Sequence, residues 1–306
     1  MTEALAHASE PCRQPDEGPD MKPLSMSRVV VVGLGLMGGS LAAALCGRCK
    51  RIIGLTRRQE TAAEAKRRGL VDEGTTCPAD ALHNADIVVF ATPVRTILRQ
   101  IDEFAQHLRA GCLVMDVGST KASVLEAMQK LPEGIQPLGG HPMCGKETSG
   151  LEGADPDLYR DRTFILCPLS RTSRSALRLG RSLVKTVGAR PLLLDAQRQD
   201  DLTATLSHLP YLMACSLIQA AHATTSSDPA AWRIVAGGFR DTSRVAGSDV
   251  RMMLDILATN QAAVLESATA FRAAFDHLVD LLKSGSEDAV EALLTQARTE
   301  RRRMYP

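Results

Sequence analysis

Four short stretches of this chain join titratable and polar side chains to glycines in ways that a packed core does not require. Asp116-Val-Gly-Ser-Thr-Lys121 gathers a carboxylate, two hydroxyls and an ammonium in one turn. Gly139-Gly-His-Pro-Met-Cys-Gly-Lys-Glu-Thr-Ser-Gly150 sets His141 before a proline in a glycine-rich turn. That is a poor core position, because backbone and ring both face the loop. Ser207-His-Leu-Pro-Tyr211 holds His208, and Gly237-Gly-Phe-Arg-Asp-Thr-Ser-Arg-Val-Ala246 holds Arg244. Histidine exchanges protons near neutral pH, and the guanidinium fork suits a carboxylate. Each group also has an ordinary structural use. Ser119 suits a helix N-cap, His141 can bond its own turn, His208 can be a satisfied core histidine, and Arg244 can close a helix-end ion pair.

A fifth stretch points to a nucleotide. Gly33-Leu-Gly35-Leu36-Met37-Gly38 fits G-x-G-x-x-G. It follows the β-branched run Arg28–Gly33 and opens a small-residue helix, with a second strand at 51–55. The first glycine permits the turn, the second lets the backbone approach a pyrophosphate, and the third lets helix and strand pack closely. The end of the second strand is where an NAD site carries an acid for the ribose hydroxyls. Here it reads Leu55-Thr56-Arg57-Arg58. A hydroxyl and two guanidiniums suit a 2′-phosphate, so NADP is expected over NAD. Thr92, Pro93 and Gly118 stand just after two further strands, where open α/β sheets bind ligands, and complete the candidate cofactor set.

The elements that must position these groups follow from periodicity. Apolar runs at 28–33, 51–55, 85–91 and 112–117 alternate with helical patterns at 36–47, 59–69, 94–109 and 121–130. Runs at 136–140, 163–167 and 190–195 add strands, with a helix at 171–187. Strand alternating with helix implies a Rossmann-like, doubly wound parallel sheet. Beyond 195 strand signals stop. Helical patterns at 200–224, 228–240, 249–283 and 286–303 imply an all-α dimerisation domain, with a kink at Pro210. The expected division is a disordered tail at 1–27, a dinucleotide-binding domain at 28–195 and a helical domain at 196–306. The tail lacks the basic start and apolar run of a secretory signal. The last helix leaves little chain for an appended regulatory domain.

Bulk properties exclude several classes. A length of 306 residues suits two domains, and 44% apolar with 23% charged residues is ordinary for a globular chain. A net charge of +1 gives no reason to expect nucleic acid, and no apolar run is long enough to cross a membrane. Of the eight cysteines only Cys46 and Cys49 form a C-x-x-C pair, without a second pair or a histidine cluster, so metal is not expected and reduced cytoplasmic thiols are. Arg171, Arg174, Arg178, Arg181 and Lys185 form one helical stripe, expected to be a solvated face.

Taken in order, GLGLMGGSL, ATPV, DVGSTK, GGHPMCG, SHLP and GGFRDTSRVAGSD resemble the prephenate/arogenate dehydrogenase family over most of the chain, from Val29 to about Asn260. The Thr56-Arg57-Arg58 turn looks most like the NADP-using arogenate dehydrogenases. The resemblance implies oxidative decarboxylation of a cyclohexadienol in tyrosine biosynthesis by a homodimer of a Rossmann-like and a helical domain. It makes His141 the group that takes the hydroxyl proton and Ser119 a hydrogen-bond partner of the same hydroxyl. His208 would line the substrate pocket, Arg244 would bind a substrate carboxylate, and Glu147 would stand at the pocket entrance. Two positions depart from many relatives. Tyr211 replaces a histidine, and Gln199-Asp200 replaces a His-Asp pair. Both border the expected pocket or its helix, and they bear on the choice of ring substrate. A β-hydroxyacid dehydrogenase shares the glycine loop but needs a catalytic lysine, which the Ser207–Pro210 helix lacks. A non-catalytic NADP-binding redox sensor would not need His141, Ser119 and Arg244 together.

Overall fold

The computed structural model describes residues 17–146 and 148–304. Two compact units divide them: one runs up to Leu202 and takes in Gly247–Thr259, and the other holds Thr203–Ala246 and the chain from Asn260 onward.

The first unit alternates strands and helices. In chain order these are β1 (Arg28–Val32), α1 (Leu36–Leu45), β2 (Arg51–Leu55), α2 (Gln59–Arg67), β3 (Glu73–Thr75), α3 (Pro78–Leu82), β4 (Ile87–Phe90), α4 (Val94–Phe104), β5 (Leu113–Asp116) and α5 (Ala122–Gln129). Then come β6 (Gln136–Pro142), β7 (Thr163–Pro168), α6 (Arg174–Thr186), β8 (Arg190–Leu193) and α7 (Ala196–Thr203), whose last residue already belongs to the second unit. The eight strands form one sheet in the order β3-β2-β1-β4-β5-β6-β7-β8. Neighbours from β3 to β6 are parallel; β7 runs antiparallel to β6, and β8 is parallel to β7.

The β-branched run of β1 explains its central place, because both of its faces are covered. Val29 and Val31 belong to the core that holds Leu41 of α1 and Leu183 of α6, while Val30 and Val32 belong to the core that holds Ile97 of α4 and Val124 of α5. The order reverses between β1 and β4, so the glycine loop after β1 and Thr92 after β4 lie at the sheet's switch point, where such folds bind ligands.

Several expectations meet differences. Strand β3 and helix α3 were not anticipated, since Glu73-Gly-Thr75 has no apolar run to betray it. Residues 17–27, assigned to the tail, pack on the first unit. Leu24 is buried in its core, the Ser175 hydroxyl donates to the Pro19 carbonyl, and Arg174 and Arg178 pair with Glu17. The basic stripe is thus only partly a solvated face. Arg171 adds to this by donating to the carbonyls of Gln129, Leu131, Pro132 and Ile135, capping the end of α5. Finally, the first compact unit runs on past 195 to Leu202. Helix α7 begins in the sheet unit, and a later helix returns to it.

The second unit contains α8 (Leu209–Thr225) and α9 (Gly237–Ser243). Helix α10 (Val250–Thr259) belongs to the first unit, where the Thr259 hydroxyl meets the Thr120 hydroxyl at 2.8 Å and Asp255 accepts from Arg95 N. Helices α11 (Gln261–Ser284) and α12 (Glu287–Met304) complete the second unit. Instead of a simple kink at Pro210, a π-helical turn spans Ala204–His208 immediately before α8. Pro210 has no N–H for the Leu206 carbonyl and its ring crowds that carbonyl, so the helix widens there. Leu206, Ile234, Leu265, Leu282 and Leu294 of this unit are exposed apolar side chains.

Candidate active site

The cofactor candidates occupy the carboxyl ends of β1, β2, β4 and β5. Gly33 takes φ +93°, and a Cβ there would meet the Thr92 methyl. A Cβ on Gly38 would fall 1.8 Å from the Gly33 carbonyl oxygen. Gly35 differs: nothing lies within 4 Å of where its Cβ would stand. It is the N-cap of α1, with no side-chain cap and no acid in the first turn. Open space over bare N–H groups at a helix start fits a pyrophosphate. Leu36 and Met37 form that first turn, and the Tyr159 hydroxyl donates to the Met37 carbonyl at 2.7 Å. Burial pushes the Tyr159 phenol well above its ordinary pKa, so it serves as a fixed donor.

Thr56 N donates to the Thr75 carbonyl, which fixes the turn after β2. Arg57 and Arg58 are exposed, and neither forms an ion pair among the described residues. No carboxylate stands in the turn. Thr92 donates its hydroxyl to Gln100 Oε1 at 2.7 Å, and Pro93 caps α4. Gly118 N donates to Asp116 Oδ2 at 2.8 Å.

His141 lies near the end of β6, 8% exposed, paired across β7 with Ile165. The glycine before it is required by close approach, because a Cβ on Gly140 would sit 2.4 Å from the Asp116 carbonyl oxygen. Asp116 ties β5 to β6: its Oδ1 accepts from Gly140 N at 3.0 Å, and its Oδ2 pairs with the fully buried Lys121 ammonium. Ser119 is half-buried between them. It does not cap α5. That role falls to Asp200 of α7, whose two oxygens accept from Lys121 N at 2.7 Å and Ala122 N at 2.8 Å. Burial pushes the Asp200 carboxyl up, and these two N–H donors offset only part of the rise.

Gln199, fully buried beside Asp200, joins the pair that the sequence singled out. Its Nε2 stands 2.9 Å from His141 Nδ1 and 3.2 Å from the Ser119 carbonyl oxygen. The structure therefore brings His141, Ser119, Gln199, Asp200 and Gly118 into one buried cluster of the sheet unit. Gln199 and Asp200 were not among the expected site residues. The one signal for them was their standing where many relatives carry a His-Asp pair.

Two other expected site residues, His208 and Arg244, belong to the helical unit. His208 ends the π-helical turn, is 1% exposed, and has Nδ1 3.3 Å from Asn260 Nδ2. Burial lowers its pKa from 6.5 to about 4, so the ring is neutral at physiological pH. Arg244 is exposed at the end of α9. Glu147 lies outside the described residues. Among the described residues no group of histidine, cysteine and acidic side chains could hold a metal, the cysteines are free thiols, and no helix is long and apolar enough to cross a membrane.

Residues 41–193 match the family described as prephenate dehydrogenase, nucleotide-binding domain, and 195–296 match its dimerization domain. A prephenate dehydrogenase of Bacillus subtilis is 35% identical over 78% of this chain, which spans 65% of that relative's length. The crystal structure of Synechocystis arogenate dehydrogenase is similar at 33% identity and a TM-score of 0.81, over 90% of this chain and 99% of that one. A prephenate dehydrogenase from A. aeolicus, in complex with hydroxyphenyl propionate and NAD+, is 30% identical with a TM-score of 0.86, over 92% and 100% of the two chains. The chain carries a pyridine-nucleotide-binding domain, and it belongs to the prephenate dehydrogenase family of pyridine-nucleotide-dependent dehydrogenases.

Proposed function

We propose that the protein is an NADP-dependent dehydrogenase that oxidises and decarboxylates prephenate or arogenate in tyrosine biosynthesis. The observation that carries this reading is the buried His141, next to Ser119 at the same carboxyl edge of the sheet as the open Gly35 turn. Their common edge supports a reading in which a ring hydroxyl and a nicotinamide meet there.

A nicotinamide nucleotide held by the glycine loop would supply the hydride acceptor for the hydroxyl-bearing ring carbon. His141 takes the hydroxyl proton as that hydride leaves, and the carbon–oxygen bond becomes a carbonyl. The bond from the opposite ring carbon to its carboxylate then breaks. Carbon dioxide departs, and the electron pair left on the ring makes it aromatic, with the carbonyl oxygen becoming a phenolate that takes back the proton held by His141. Ser119 aligns the hydroxyl with His141. The guanidinium of Arg244 binds a substrate carboxylate, and the neutral His208 offers an uncharged hydrogen-bonding wall. Glu147 is assigned to the pocket entrance.

NADP is favoured over NAD by the Thr56-Arg57-Arg58 turn, whose exposed arginines offer guanidiniums and no carboxylate to the adenosine ribose. A homodimer is supported by the match to a dimerization domain and by the exposed leucines of the helical unit, and free thiols suit the cytoplasm. The test is a steady-state assay with prephenate and arogenate, each with NADP and with NAD. Turnover of either substrate, with higher kcat/KM for NADP, is expected. No turnover of either overturns the function, and a preference for NAD overturns the reading of the turn.

A further inference from the structure

A carbonyl oxygen can only accept a hydrogen bond, and this decides the orientation of a buried amide. The Ser119 carbonyl lies 3.2 Å from the Gln199 side-chain nitrogen, which identifies that atom as the NH2 group. The same nitrogen stands 2.9 Å from His141 Nδ1. An NH2 group has two hydrogens and no lone pair to offer, so one hydrogen serves Ser119 and the other serves the ring. His141 Nδ1 must then be the acceptor. In the neutral ring the proton sits on Nε2, and an imidazolium would turn Nδ1–H against an amide N–H.

The reverse orientation of the amide carries its own cost. Oε1 could accept from an Nδ1–H, but two oxygens would then face each other across the distance that now holds a hydrogen bond. The position of the ring proton and the orientation of the amide are therefore one variable. Other titratable groups on the same segments are themselves engaged or uncharged. Asp116 of β5 is neutralised by its pairing with Lys121, and it also accepts from Gly140 N; Asp200 of α7 is engaged by two backbone N–H groups of α5. The Cys144 thiol after β6 is pushed up to about 11 and the Cys167 thiol on β7 to about 12, both first by burial, so both stay uncharged.

We propose that Gln199 is a positioning residue for His141: its amide, anchored by the Ser119 carbonyl, opposes a proton on Nδ1 and holds the ring uncharged in the free enzyme. The inference deepens the proposed reaction and rests on it for its consequence. Before His141 can receive the substrate's hydroxyl proton on Nε2, the proton that nitrogen carries in the free enzyme must pass to solvent, solvent must supply one to Nδ1, and the amide must turn Oε1 toward it. The step is thus coupled to a side-chain rotation. A histidine at this position, as in many relatives, could meet either state by changing its own protonation; glutamine must turn.

The test reads the ring directly and does not need turnover. Nitrogen-15 NMR of histidine-labelled protein reports which ring nitrogen carries the proton, with the His141 signal identified by its loss in His141→Asn. The wild type is expected to show an unprotonated Nδ1 at neutral pH and a titration midpoint below the ordinary value of about 6.5. Gln199→Glu, which can only accept, should move the proton to Nδ1 and raise the midpoint by about one pH unit or more. A protonated Nδ1 in the wild type, or the same midpoint in Gln199→Glu, overturns the proposal. The wild-type measurement decides alone if the variant does not fold. Failure to turn over prephenate or arogenate would instead remove the proposed reaction and leave the ring's protonation standing.

Discussion

The glycine loop after β1 and His141 near the end of β6 stand at the same edge of one sheet, yet they are held in opposite ways. The glycine loop is fixed by its own neighbourhood: Gly33 and Gly38 touch within one turn, and Gly35 opens α1. The His141 segment is fixed from far along the chain. Asp116 reaches Gly140 across 24 positions, Gln199 reaches His141 across 58, and Asp200 caps α5 across 79. A nucleotide can be bound by a local device because phosphates ask only for bare N–H groups and a helix start. Proton transfer asks for a particular ring nitrogen in a particular state, and that needs partners on several elements.

The contrast can be broken at either end. Replacing His141 by Asn should lower kcat by about two to four decades while nucleotide affinity stays the same. Steady-state kinetics and a nucleotide titration on one preparation read both values, and an unchanged kcat would take His141 out of the reaction. The complementary change is Arg57→Asp on the nucleotide side. It should lower kcat/KM for NADP by about tenfold and spare kcat, which is the reverse pattern.

Acid provides a third probe, from the helical unit. The folded protein holds the His208 pKa near 4, whereas the unfolded chain has it near 6.5. On acidification the unfolded state takes up that proton first. Stability should therefore be full above about pH 6.5 and fall as the pH drops toward 4, by up to roughly 3 kcal/mol. Denaturant titrations across that window should be flatter in His208→Gln. Equal slopes in the two proteins would show that the buried ring does not contribute. The smallest effect is expected for the remote cap. Asp200→Ala should cost about 1–2 kcal/mol of stability in the same titrations, because two buried N–H groups of α5 lose their acceptor. No loss would mean that α5 finds its cap elsewhere.

Legibility followed the same division. The alternating strands and helices were readable because each buried strand is a short β-branched run, and the glycine loop was readable because its spacing is local. The antiparallel turn of β7 was not, since a buried strand reads alike in either direction. Nor was Glu73–Thr75, whose strand is made by pairing with β2 and not by side-chain pattern. The return of α10 to the sheet unit depends on single contacts such as Thr259 with Thr120, which no periodicity encodes. His141 and Ser119 were legible as polar groups in glycine-rich turns, but the partner that sets the state of His141 was visible only as a departure from the family's usual pair. A cap supplied from 79 positions away likewise left Ser119 looking like an ordinary N-cap.

The central claim is that oxidation at the ring hydroxyl and loss of the carboxylate are one reaction at this site. The direct measurement is the ratio of carbon dioxide released, from substrate labelled in the ring carboxylate, to nucleotide reduced in the same vessel. The account predicts one-to-one release for whichever of prephenate and arogenate is turned over. Reduced nucleotide without carbon dioxide would contradict it and return the chain to simple hydroxyl oxidation.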